Sequence, residues 1–278
     1  MSGSPRHWRC LVVLGASLWL GACSPSYKQE QLVEAIQQLC ATEHHLSVAA
    51  RQAGRTIAVH LRHDGIFSKA GNQVALSPSA NEVLGNLLEV IHRVTLSSNA
   101  SLRFYVLLVS DPTVPGIYLT MVRYLDDVRR ANANIIPPTE FFSRTIFELK
   151  YLAVPEMSFD QLIINEVQLE QFLGWQLAKR IQARLTERLR QPEGSTVEVG
   201  ECLWEFQNGE YAFTLNVAPA PGHALDDELI QEIFQEATSE IAQVLFGYRF
   251  EGFEAVRLIH PPTGRSLLLP KTRLELFR

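Results

Sequence analysis

The densest group of side chains able to hold a metal ion is Glu43, His44, His45, His60, His63 and Asp64. Zinc requires three or four N, S or O donors within about 2.0–2.3 Å of one point. His44 and His45 are adjacent and diverge, and His60 and His63, three apart in a strand, face opposite ways. The spacing therefore predicts no metal site, and no cofactor is expected. The chain contains no G-x-S-x-G, H-E-x-x-H or S-x-x-K string for nucleophilic or metal-assisted hydrolysis. Neither G-x-G-x-x-G nor G-x-x-x-x-G-K-[ST] occurs, so phosphate binding by a glycine-rich loop has no support. The pairs Asp126–Asp127 and Asp226–Asp227 offer carboxylates, but adjacent acids on a helix point about 100° apart. They suit the first turn of a helix, whose positive dipole end attracts them. No catalytic residue is assigned.

Two charge stripes are more regular. Arg180, Arg184 and Arg188 recur every four residues, as do Glu228, Glu232, Glu236 and Glu240. Fourfold spacing places each set on one helical face. Either these are the wetted faces of two amphipathic helices, or the arginine stripe docks an anionic partner. Arg180, Arg184 and Arg188 are thus the candidate partner-binding residues.

Such stripes need helices under them. Ser79 with Glu82 and Ser158 with Gln161 match capping boxes ahead of apolar periodic runs. They predict helices from Ser79 to about Thr95 and from about Phe159 to Arg190, the latter stopped by Pro192 and Gly194. A further helix is predicted from Asp226 to Phe246, ended by Gly247, and a first one begins near Lys28 and carries Ile36, Leu39 and Cys40. Four strand pairs lie between them: 46–50 with 56–61, 102–110 with 116–124, 202–206 with 211–217, and 253–260 with 265–269. Asn208-Gly209 is the strongest hairpin signal. The expected fold is α+β, with antiparallel hairpins covered by amphipathic helices. The order admits two similar helix-hairpin-helix-hairpin halves at 30–130 and 158–278, separated by an irregular insertion at 131–157. Asp111-Pro112-Thr113 and Pro261-Pro262-Thr263 echo each other across those halves.

Ahead of this lies a segment of another kind. Arg6 and Arg9 precede an apolar run from Cys10 to Leu20, followed by Gly21, Ala22 and Cys23. The run is far shorter than the roughly 20 residues of a spanning helix, and the order of charge, apolar run and small residues is that of an export signal. Leu20-Gly21-Ala22-Cys23 resembles the lipobox of bacterial lipoproteins. The resemblance covers only the first 23 residues, and Gly21 sits where Ala or Ser is commoner. It implies cleavage after Ala22, acylation of Cys23 and, with Ser24 rather than Asp next, the outer membrane facing the periplasm. Residues 23–29 then form a lipid-anchored tether. Without Arg6 and Arg9 the 25 basic side chains fall to 23 against 30 acidic ones, a net charge near −7. That acidic balance argues against nucleic acid, which needs a basic face. In an oxidising compartment Cys40 and Cys202 could pair, or each could be a buried small hydrophobe.

The reading these features support is a lipid-anchored cell-envelope protein that binds or scaffolds envelope components without catalysis. Its partners would be the membrane, through the anchor, and another envelope protein or anionic polymer. A membrane-anchored hydrolase of cell-wall or lipid material and a small-ligand or metal carrier are the alternatives.

Overall fold

A computed structural model describes residues 26–71, 73–151, 165–189 and 197–277. The described residues fall into two compact units: one runs to Thr120 and returns at Leu149, and the other comprises Met121 to Glu148 and Asn165 onward. The fold is α+β.

The first half opens with helix α1 (Leu32–His44), then strands β1 (Val48–Ala53) and β2 (Thr56–Arg62) and a small pair β3 (Phe67–Ala70) and β4 (Gln73–Leu76). Helix α2 (Ala80–Leu96) leads to β5 (Phe104–Ser110) and β6 (Ile117–Tyr124). Helices α3 (Leu125–Asn132) and α4 (Pro138–Ser143) and strand β7 (Ile146–Tyr151) follow. The sheet order is β1-β2-β5-β6-β7. β1 and β2 are antiparallel, whereas β2 and β5 are parallel. On one sheet face Ile57, Val59 and Leu61 stand beside Tyr105, Leu107 and Val109, all wholly buried. His92 of α2 shares a 2.9 Å hydrogen bond with the Tyr105 hydroxyl, which fixes α2 on that face.

The second half repeats the plan. Helix α5 (Leu169–Leu189) precedes β8 (Val197–Val199), β9 (Leu203–Gln207), β10 (Glu210–Thr214) and β11 (Val217–Pro219). Helix α6 (Asp227–Gly247), β12 (Ala255–His260), β13 (Arg265–Pro270) and the short α7 (Lys271–Leu274) complete it. The order is β9-β10-β12-β13. The outer pairs are antiparallel and the inner pair, β10 with β12, is parallel. This matches β1-β2-β5-β6 in order, and in the directions of β1 with β2 and of β2 with β5. One face carries Tyr211, Phe213, Val256 and Leu258, all wholly buried. The Tyr211 hydroxyl donates to the Glu170 carbonyl of α5 at 2.8 Å, so α5 covers that face. Asn208 and Gly209 turn the β9–β10 hairpin with φ of 51° and 77°, the left-handed pair that a two-residue turn demands.

Several expectations change. The sheets are mixed, because each hairpin pair is joined through a helix crossover that lays strands two and three parallel. The insertion at 131–157 is not irregular throughout: α4 and β7 lie within it. Ser79 does not cap α2 with its side chain; Ser77 Oγ instead accepts the Ala80 N–H at 3.2 Å. Residues 165–168 are not helical, so the long helix begins at Leu169 and not near Phe159; Ser158 and Gln161 lie outside the described residues. Gly247 is the last helical residue and the left-handed position is Arg249. Asp226 caps α6 as its sequence suggests, accepting the Leu229 N–H at 2.8 Å.

Candidate functional site

Helices α5 and α6 bring the two charge stripes together. Arg180 pairs with Glu240, Arg184 Nε with Glu236 at 2.9 Å, and Arg188 Nε with Glu232 at 2.7 Å. Residue numbers rise by four along one helix and fall by four along the other, the signature of antiparallel packing. The arginines therefore face the glutamates of the same molecule. Each of the candidate partner-binding residues Arg180, Arg184 and Arg188 thus already has an ion-pair partner within the molecule.

Beneath one end of the ladder lies a buried hub. Arg144 Nη1 meets Asp127 at 2.9 Å and Arg144 Nε meets Glu140 at 2.8 Å. The Tyr248 hydroxyl donates to Asp127 Oδ2 at 2.5 Å, and the Arg144 guanidinium lies over the Tyr248 ring, 4.7 Å from its centroid. Gln176 Nε2 donates to the Arg144 carbonyl at 2.7 Å. Burial pushes the Asp127 carboxyl up, partly offset by Tyr248 and Arg144. Burial acts the same way on Glu140, but Arg144 and Arg180 outweigh it and hold that carboxyl low. Burial also raises the Tyr248 phenol, and the Asp127 charge adds to it. Of the acid pair Asp126–Asp127, only Asp127 is buried. A hub whose charges are matched this closely orders the fold.

The feature suited to a ligand is a groove of about 580 Å3 beside β9. Trp175, Lys179 and Gln182 of α5 line one side, and Ala212, Thr214 and Ile259 from the uncovered sheet face line the other. Glu201, Cys202, Leu203, Trp204 and Glu205 run between them, with Glu148 at the end. Glu148 Oε1 accepts the Trp175 indole N–H at 2.8 Å and pairs with Lys179 Nζ at 2.9 Å. Gly174 is what allows Trp204 to pack closely on α5: a Cβ there would collide with the indole ring. Sequence reasoning missed this groove. Its signal was present, since Trp175 and Trp204 are the tryptophans beyond residue 25.

The remaining candidates are dispersed. Glu43 pairs with Arg93 at 2.5 Å, His60 Nε2 bonds Ser110 Oγ at 2.9 Å, and His63 Nδ1 bonds the Asp64 carbonyl at 2.7 Å. Among the described residues no three His, Cys, Asp or Glu side chains converge on a metal position. Cys40 and Cys202 are both free and buried, not joined to each other. Burial pushes their thiols up to about 11 and about 12, so neither offers a thiolate near neutrality. Cys23 lies outside the described residues. Comparison with known proteins finds no matching family and no similar curated sequence.

Proposed function

We propose that the chain is a lipid-anchored envelope protein, held by acylated Cys23, whose folded part binds or scaffolds another envelope component. The order of Arg6, Arg9, the apolar run and Leu20-Gly21-Ala22-Cys23 carries this reading. No helix among the described residues is long and apolar enough to cross a membrane; in this reading the acyl chains make the attachment, each buried CH2 contributing about 0.8 kcal/mol.

The contacts of residues 26–29 support the reading. Ser26 N–H donates to the Ser97 carbonyl at 2.8 Å, Asn99 N–H to the Tyr27 carbonyl at 3.2 Å, and Gln29 N–H to the Asn99 side chain at 2.9 Å. The chain is thus fastened from Ser26 onward, and only Ser24 and Pro25 separate the anchored cysteine from it. At no more than about 3.5 Å per residue that reaches at most about 10 Å, less than a tether running to residue 29 could. The 97–99 turn therefore sits against the headgroups, and the partner is another component within reach of that membrane. The test is Cys23→Ser with fractionation and mass spectrometry of the N-terminal peptide. Loss of the acyl mass together with release from the membrane is expected. Unchanged membrane association, or a mature terminus other than Cys23, defeats the reading.

A further inference from the structure

We infer that the free edge of β9 accepts an extended, basic peptide as an added strand. β9 ends the order β9-β10-β12-β13, so one side of it pairs with β10 and the other with nothing in that sheet. The Asn208-Gly209 turn makes Gln207 and Glu210 a hydrogen-bonded pair. Alternation along the ladder then aims the N–H and C=O of Phe206 and Trp204 away from β10. Among the described residues those outward groups have no backbone or side-chain partner. The equivalent edge of the first half is covered at one point. There the outward Val48 carbonyl of β1 accepts a hydrogen bond from Gln37 Nε2 of α1 at 3.4 Å. What sets the β9 edge apart is the groove that runs along it.

Charge selects the occupant. Among the described residues lining the groove Lys179 is the one cation, and Glu148 already holds it. That leaves the Glu201 and Glu205 carboxylates without a counter-charge among those lining residues. An added strand supplies backbone donors and acceptors to Trp204 and Phe206, and lysine or arginine side chains on it meet Glu201 and Glu205. Such a strand also passes beside both indoles, where a cation gains further attraction. The inference stands apart from the lipid anchor: the edge and groove are the same whether or not Cys23 is acylated.

The experiment uses the full chain with Trp8→Phe and Trp19→Phe, so that Trp175 and Trp204 alone report. Three synthetic peptides of equal length are titrated: alternating Lys and Val, alternating Glu and Val, and the lysine peptide with alternate backbone nitrogens methylated. The lysine peptide should shift tryptophan emission and bind at least about ten-fold more tightly than the other two. Glu201→Gln combined with Glu205→Gln should weaken it about three- to ten-fold. No emission change up to about 1 mM peptide, the weak end of the affinity scale, overturns the inference. So does equal binding by the glutamate peptide, by the methylated peptide or by the double variant. The peptide arms leave the groove itself unaltered, so they stand even where a groove variant folds poorly.

Discussion

At the end of the third strand in each half, one buried polar side chain ties that strand to the connection between strand two and the helix. In the first half it is Asp111, directly after Ser110, whose carbonyl accepts the His63 N–H at 3.0 Å. In the second it is His260, directly after Ile259, whose carbonyl accepts the Leu215 N–H at 2.8 Å. Asp111 Oδ2 accepts the Phe67 N–H at 3.0 Å, and Oδ1 accepts the Thr113 N–H at 2.8 Å and its hydroxyl at 2.6 Å. His260 does the converse: Nε2 donates to the Val217 carbonyl at 2.8 Å, leaving Nδ1 to accept the Thr263 hydroxyl at 2.8 Å. A proline and then a threonine follow within the same turn in both. The same topology thus sets the same task, closing a buried joint. The group that closes it depends on whether the opposite chain offers an N–H or a C=O.

The largest effect should come from the second unit, which buries full charges. Arg144→Ala leaves the buried Asp127 carboxylate without its guanidinium and Glu140 with only that of Arg180 at 3.5 Å, and unfolding by denaturant should show a loss of about 3–5 kcal/mol. A loss below about 1 kcal/mol would mean that the hub is wetter than its burial indicates.

The joints come next. Asp111→Ala strands the Phe67 and Thr113 N–H groups, and His260→Leu strands the Val217 carbonyl; each should cost about 1–3 kcal/mol. The Asp111 joint should also respond to acid. Burial raises the Asp111 carboxyl, but hydrogen bonds from Thr113, Phe67 and Gly65 outweigh it and hold it below its ordinary value. Its contribution is therefore complete above the unfolded value near 4 and is lost as pH falls through the folded one. Asp111→Asn should flatten that acid-side loss; a variant that melts with the same acid profile as the parent breaks the comparison.

A milder pH effect belongs to His60. Burial, with the Arg62 charge adding to it, lowers its imidazole below the ordinary value. The unfolded chain then takes up the proton first, so stability falls as pH drops through about 6.5 toward the lower folded value. His60→Gln should remove this portion of the slope, read as Tm measured between about pH 5 and 7.5. The smallest effect is expected at the outer rung of the ladder. Arg188 is 56% exposed, and Arg188→Gln should leave Tm unchanged within error, whereas Arg180→Gln, at 16% exposure, should cost about 1 kcal/mol. Equal losses at both rungs would show that burial does not grade the ladder.

Much of the fold was legible because its signals are local. Asn208-Gly209 specifies a turn by its positive φ, and Asp226 caps the helix that follows it. The apolar spacing of Val83, Leu84, Leu87 and Ile91 makes one face of α2 apolar. The echo between Asp111-Pro112-Thr113 and Pro261-Pro262-Thr263 marked the right turns, but the structural equivalence pairs Asp111 with His260, one residue away, because the match is of positions in a ladder and not of residue types. β3, β4, β8 and β11 escaped notice because each has only three or four residues, too few to display a period. The groove escaped because its walls come from residues as far apart as Glu148 and Ile259.

By itself the sequence determined the helices with strong apolar periodicity, the four hairpins and the α+β class, since capping, turn conformation and hydrophobic period act over a few residues. Tertiary structure decided what the charges do. Two stripes four residues apart are compatible with a docking surface or with a ladder, and only antiparallel placement of α5 against α6 sets Arg180, Arg184 and Arg188 opposite Glu240, Glu236 and Glu232. Coulombic attraction depends on distance through space, and that distance is fixed only when the chain folds.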